Sequence, residues 1–285
     1  MSQDKFRIGI VAPANRIEPE VGERIAALAA RDYGRRVEIV VHPQCHLSSG
    51  HFAGDDEVRA EAFLDIANDE SFDAMWWARG GYGTNRIAEL VLPYLSDTAR
   101  HKTYLGYSDA GFLLAGLYRA GFPFLAHGPV ARDILREGGE AAARRALAFL
   151  IERDPATLEP HVSAEVPSAA FNLTILSHLV GTRLEPDLTD HVLMVEDVSE
   201  AMYRIDRAFF HITAAPGIQK IAGLRLGRVS DVTENDLDFV QTEEEVAQHW
   251  CAVSGIPYLG RADIGHDIAN RIVPFGRFNW KEPQS

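Results

Sequence analysis

The chain has 285 residues, 46% of them hydrophobic and 24% charged, with a formal net charge of −13. That length and balance belong to a soluble globular protein with room for one large domain or two ordinary ones. The acidic surplus argues against nucleic acid and anionic membrane surfaces as partners, no apolar run approaches the ~20 residues of a membrane span, and two cysteines, Cys45 and Cys251, make no disulfide framework.

The N-terminus, Met1 to Arg7, enters the strand-like Ile8-Gly9-Ile10-Val11-Ala12 without the basic, apolar and small-residue regions of a signal peptide, which predicts a cytoplasmic protein. Strands are expected at 7–12, 36–42, 73–78, 103–107 and 123–127. Amphipathic stretches at 21–31 and 56–68 read as helices between them. Apolar strands without alternation, separated by helices, predict a parallel sheet covered on both faces. An Ala-, Glu- and Arg-rich helix over 132–153 leads out of this Rossmann-like α/β unit, placed at 1–153. Residues 154–167 hold three prolines and no period, and are the expected linker. In 168–285, strands are expected at 191–196, 221–229, 256–260 and 271–275, with helices at 203–213 and 243–254. This predicts a second, smaller, β-rich α/β domain.

The most informative stretch is Tyr104-Leu105-Gly106-Tyr107-Ser108-Asp109-Ala110-Gly111, where an apolar strand runs into a serine and then the helix-like 112–118. A serine on a tight strand-to-helix turn presents its hydroxyl at the positive end of the helix, beside backbone N–H groups suited to an oxyanion. The pattern is close to the G-x-S-x-G elbow but has Ala110 at the fifth position, and Ser108 as a simple helix N-cap is the competing reading. A serine nucleophile needs a base and a group to orient it. Candidates follow downstream in Glu196-Asp197-Val198-Ser199-Glu200, at the end of a strand, and in the loop Gly265-His266-Asp267. The glycine-rich Arg79-Gly80-Gly81-Tyr82-Gly83, after the strand at 73–78, allows close backbone approach to a ligand but matches no nucleotide motif. His42, Cys45, His46 and His51 are dense enough to raise a zinc site, yet their spacing fits no common pattern. Trp76 and Trp77 read as core rather than as a stacking platform.

Together these segments resemble the LD-carboxypeptidases, serine peptidases that include muramoyltetrapeptide carboxypeptidases and microcin C immunity peptidases. The matching motifs run in order: Arg79-Gly-Gly-Tyr-Gly-x-x-Arg86, Gly106-Tyr107-Ser108-Asp109, His127-Gly128-Pro129, Asn172-Leu173-Thr174 with Gly181-Thr182, Glu196-Asp197-x-x-Glu200 with Tyr203–Arg207, and Gly265-His266 with Pro274-Phe275-Gly276. The resemblance implies a catalytic triad of Ser108, Glu196 and His266, with the backbone N–H groups of Gly81 and Asp109 as oxyanion donors. Asp197 is expected on the opposite face of its strand, and Glu200 as a cap of the helix that follows. One departure is Ala170-Phe171, where the family has a Gly-Gly pair, so Phe171 is expected to narrow or reshape the pocket.

The implied activity is hydrolysis of an L,D-peptide bond, releasing terminal D-alanine from a murein tetrapeptide, with no metal or organic cofactor and a homodimeric assembly. The alternatives are a same-family peptidase acting on a peptidyl-nucleotide antibiotic, and a non-catalytic peptide- or muropeptide-binding protein. A carboxypeptidase must read a free carboxylate against a field of net charge −13, so a local arginine is required. Arg79 and Arg86 are the candidates, with Tyr82 beside them, and each arginine has a structural clamp as its competing role.

Overall fold

Short apolar strands alternating with helices give the first sheet its parallel form. The computed structural model describes residues 5–234 and 236–280. Strands β1 (Phe6–Val11), β2 (Val37–Val41), β3 (Ala74–Trp77), β4 (Thr103–Gly106) and β5 (Leu125–His127) are all parallel, in the order β5-β4-β3-β1-β2. Every side chain of β3, β4 and β5 is buried, as expected of strands covered on both faces. The connecting helices are α1 (Pro19–Tyr33), α2 (Asp56–Asn68), α3 (Thr84–Val91) and α4 (Gly111–Arg119), and α5 (Gly139–Glu152) leads away. Asp55 caps α2 by accepting from the Val58 N–H at 2.9 Å.

The second sheet holds β6 (Ser168–Asn172), β7 (Val192–Val198), β8 (Gly223–Ser230) and β9 (Tyr258–Arg261), again parallel and in chain order. Helices α6 (Leu173–Leu179), α7 (Met202–Ala214) and α8 (Glu243–Ser254) connect and cover it. α8 opens on a capping box, with the Thr242 hydroxyl and the Glu245 carboxylate each bonded to the other's backbone N–H. No helix among the described residues is long and apolar enough to cross a membrane.

Two features depart from the sequence reading. The segment expected at 271–275 as a strand of the second part is β10 (Val273–Pro274), and it pairs antiparallel with β5 in the first sheet. Two residues on, Gly276 exchanges hydrogen bonds with Ser168 of β6 at 2.8 and 2.9 Å. This short strap therefore stitches the two sheets together. Residues 154–167 are drawn into it as well: Leu158 bridges Ile272, the Glu159 N–H donates to the Ile272 carbonyl at 3.0 Å, and Thr157 and Glu159 are buried.

Phe275 closes the strap. It is 2% exposed and packs edge-on against Phe171 and Tyr118, with ring centroids 5.1 and 5.6 Å away. Truncating a buried phenylalanine typically costs about 3–5 kcal/mol. Phe275→Ala is expected to lower unfolding stability by that amount in urea titration; a loss under 1 kcal/mol would mean that the strap is not held by this ring.

Candidate active site

The site forms at the carboxyl ends of the strands, where open α/β sheets place their chemistry. β4 ends at Gly106, and Ser108 follows in a left-handed conformation, φ 62°. A non-glycine residue held there stores roughly 1–3 kcal/mol of strain, a cost the surrounding packing must impose. Gly80, in the loop after β3, lies against this turn. A methyl group added to it would stand 2.9 Å from both Cβ and Oγ of Ser108, so only glycine lets the loop approach the hydroxyl so closely. The Asp109 carboxylate is buried and accepts from the Thr84 N–H at 2.8 Å, tying the serine turn to the start of α3 and hence to the glycine-rich loop. Burial holds the Asp109 carboxyl above its ordinary pKa against the Thr84 hydrogen bond. From the loop between β1 and α1, Asn15 accepts from the Tyr82 N–H at 3.1 Å and fixes the glycine-rich loop from its other side. Ser108 is not an N-cap: the residue before its turn is Tyr107, and no side chain caps it.

The carboxylate bonded to the imidazole is Glu196. Its Oε2 meets His266 Nδ1 at 2.5 Å, with Glu196 fully buried and the His266 side chain 10% exposed. The pairing of β7 with β8 jumps from Val195–Leu226 to Asp197–Val229, so Glu196 faces a bulge. Gly227 sits in that bulge. A Cβ there would come within 2.9 Å of Glu196 Cβ and 2.8 Å of the Ile264 carbonyl, so the glycine admits both carboxylate and histidine loop. Asp197 points to the other face, accepting from Asn172 at 2.8 Å and from the Thr174 N–H and hydroxyl at 3.1 and 2.9 Å. It organises the start of α6. Glu200 does not cap α7, whose N-cap is Ala201 with no side-chain bond; it pairs with Arg204 instead.

The histidine loop is clamped by arginines outside the motifs. Arg228 reaches Asp263 at 2.6 Å and Asp267 at 2.9 Å, and Arg145 from α5 donates to the Ile268 and Asn270 carbonyls at 2.9 Å each. The Tyr107 ring, one residue before Ser108, lies against the His266 ring with centroids 4.7 Å apart. This contact brings the serine turn of one sheet to the imidazole of the other. Burial alone would depress the His266 pKa; the Glu196 charge and hydrogen bond, with Asp197 and Asp133 behind, outweigh it and hold the group above its ordinary 6.5. His127, fully buried at the end of β5, is pushed the other way to about 3 by burial and then by His266, so it stays neutral beside the site.

A cleft of about 1040 Å³ opens beside Gly81 and Asp109, bounded by Tyr82, Phe112, Ile175 and Leu184. A second cleft of about 1030 Å³, around Phe72, Lys102 and Arg153, lies at the opposite strand ends and shares none of these residues. Arg86 is a clamp: it makes three hydrogen bonds to Asp56, at 2.7, 3.0 and 3.0 Å. Arg79 is not so engaged. Among the described residues it makes one long bond, 3.5 Å, to the Arg16 carbonyl, and it stands beside the Glu18–Arg132 pair; burial, then the Arg132 charge, lower its pKa. Tyr82 is half exposed, at 6.0 Å from the rings of Phe52 and His51. Phe171 does not shape the cleft, as its ring is 1% exposed and packs on Phe275. Trp76 and Trp77 are core. The dense histidines also disperse: His42 pairs with Asp65, Cys45 Sγ bonds the Ile10 carbonyl, His46 bonds the Ile17 carbonyl and His51 packs on Phe52. No three His, Cys, Asp or Glu side chains among the described residues could hold a metal ion together.

Residues 8–128 match the model of the LD-carboxypeptidase N-terminal domain, and residues 169–278 match that of the C-terminal domain. The chain belongs to the LD-carboxypeptidase family. That membership makes it a hydrolase of the serine-type carboxypeptidase class. It is 30% identical to a putative carboxypeptidase of Synechocystis, over 95% of this chain and 89% of that one. It is 27% identical to the murein tetrapeptide carboxypeptidase of Pseudomonas aeruginosa, over 95% and 91%. Among solved structures, the muramoyltetrapeptide carboxypeptidase of Oxalobacter formigenes superposes with TM-score 0.76 at 22% identity, covering 94% of this chain and 93% of that one. The microcin C7 self immunity protein MccF, in complex with aspartyl sulfamoyl adenosine, gives 0.77 at 17% identity, over 96% and 92%. Both share the two-sheet LD-carboxypeptidase fold.

The Gly80–Ser108 contact yields a direct test. Gly80→Ala sets a methyl group against the Ser108 hydroxyl, and a displacement of about 1 Å at a reacting group can cost ~10²-fold. The variant is expected to lose kcat on that scale while its melting temperature changes little. A variant with wild-type kcat would show that the loop can yield without moving the serine.

Proposed function

We propose that this chain is a serine carboxypeptidase that hydrolyses the L,D-peptide bond before a terminal D-alanine, with a murein tetrapeptide as substrate. The observation that carries the reading is the Glu196–His266 hydrogen bond held against Tyr107 beside the strained Ser108. The relation to a murein tetrapeptide carboxypeptidase at 27% identity supports the substrate.

In this mechanism, His266 Nδ1 is occupied by Glu196, which leaves Nε2 to accept the Ser108 proton. Oγ bonds to the carbonyl carbon as the carbonyl π pair moves onto oxygen. The N–H groups of Gly81 and Asp109 receive that oxyanion. The proton on Nε2 then passes to the departing amine as the C–N bond breaks, and D-alanine leaves. Water repeats the sequence on the acyl-enzyme, with Nε2 as base and then as acid. Ser108 Oγ makes no hydrogen bond to His266 among the described residues, and such contacts often close only with substrate bound.

A base must be neutral to act, so kcat/KM is expected to rise with pH through an apparent pKa above 6.5, given the direction of the His266 shift. Glu196→Gln removes the charge that stabilises imidazolium; it should lower kcat by ~10²–10⁴ and move that acid limb to lower pH. Ser108→Ala should cost ~10⁴–10⁶ in rate with the fold unchanged. A Ser108→Ala protein retaining a tenth of wild-type kcat would end the serine mechanism.

The substrate carboxylate has one candidate arginine left, because Arg86 is committed to Asp56. A hydrogen bond to a charged group contributes about 1.5–3 kcal/mol, or roughly ten- to two-hundred-fold. Amidating the peptide C-terminus is therefore expected to lower kcat/KM at least tenfold, and Arg79→Gln to erase most of that difference. Equal cleavage of free and amidated peptides by the wild type would remove the carboxypeptidase assignment for this substrate.

A further inference from the structure

His266 is gripped from the second sheet by Glu196, but two further contacts reach it from the first unit, and both converge on one residue. Asp133 lies in the helical turn 131–135 that follows β5. It is 5% exposed. Its Oδ2 accepts from the Val130 N–H at 3.1 Å; its Oδ1 accepts from Arg136 Nε at 3.0 Å and from the Tyr107 hydroxyl at 3.3 Å. Each of those last two partners ends on the histidine. Arg136 Nη1 donates to the His266 backbone carbonyl at 2.6 Å, and the Tyr107 ring covers the imidazole at 4.7 Å.

We propose that Asp133 is a positioning residue for the reaction, holding the His266 backbone through Arg136 and the His266 ring through Tyr107. This inference rests on His266 being the base. Asp133 itself touches neither substrate nor reacting atoms. A carboxylate buried for structure alone is costly unless it is well paired. Here its ion-pair partner among the described residues, Arg136, also holds the histidine loop by the His266 carbonyl. The imidazole thus has Glu196 of β7 in direct contact and Asp133, from the turn after β5, one residue removed through Tyr107. The other charged or titratable groups facing it are Asp197 behind Glu196, Arg136 at its carbonyl, and the neutral His127. A negative charge at Asp133 favours the imidazolium formed when Ser108 gives up its proton.

The test is Asp133→Asn, which keeps the shape and an acceptor for Val130 but removes the charge. Two readouts are taken on the full-length protein: steady-state kinetics across pH, and the His266 ring titration followed by NMR. The expected result is a fall in kcat of about tenfold with KM within about twofold. The acid limb of kcat/KM and the NMR titration should both move to lower pH. A folded variant whose His266 titration and kcat are both unchanged overturns the inference. Should the titration move while kcat/KM keeps its wild-type pH limb, the Asp133–His266 link stands and the assignment of His266 as base falls. If Asp133→Asn does not fold, Arg136→Gln decides the matter, since it removes the grip on the His266 carbonyl together with the Asp133 ion pair while Asp133 keeps its Val130 and Tyr107 bonds. Its kcat should drop severalfold at constant KM, and wild-type kcat in a folded Arg136→Gln protein likewise overturns the proposal.

Discussion

A carboxylate with no access to water must face something that can share its charge, and in this protein that partner is His266. The Glu196–His266 hydrogen bond, 2.5 Å long, explains much of its surroundings. It needs the β8 bulge to make room, a glycine at 227 so that loop and strand can touch, and arginines to hold the loop once it arrives. Removing either partner would leave an uncompensated polar group in a dry interior, which is far more costly than losing an exposed pair. The loop is ordered because the charge requires it.

The electrostatics divide sharply over a few ångströms. His266 is raised by its acidic neighbours, while His127, buried and close by, is held neutral by burial and by His266 itself. One imidazole is set to take a proton and the next to refuse it. The same logic governs the arginines. Arg86 is neutralised by Asp56, whereas Arg79 is partly buried and short of dedicated hydrogen bonds. Of the two, Arg79 is the one without a dedicated carboxylate hydrogen bond among the described residues, in a chain of net charge −13.

Most of the first sheet was legible in the sequence because its strands are uniformly apolar and their helices amphipathic; β1 to β5 fall within two residues of their expected positions. The second unit was read less well. β6 (Ser-Ala-Ala-Phe-Asn) is short and carries small residues, and α6 is only seven residues, too brief for a period to show. β10 looked like any other apolar strand, since nothing in its residues states which sheet it will join. The motif residues stood out because serine, histidine and glutamate occur in unusual settings. Their supports did not. Asp133, Arg136, Arg145 and Arg228 lie on helix-like or strand-like runs as ordinary charges, and their contacts span up to 130 residues of sequence. Phe171 shows the converse error: a bulky residue in a motif position suggested a pocket wall, but the strap packs on it from the other side.

The strap has a consequence for how the molecule comes apart. A two-residue strand of the C-terminal segment completes the N-terminal sheet, and the residues around it also hold 157–159 and the first residue of β6. Neither half can therefore lose its order without exposing a sheet edge and apolar side chains of the other. The two units are topologically consecutive but thermodynamically joined, a single cooperative block rather than two beads on a chain. Until 273–274 dock, the first sheet keeps β5 unpaired on one edge, so the order of the serine-bearing sheet depends on a segment more than 160 residues further along the chain.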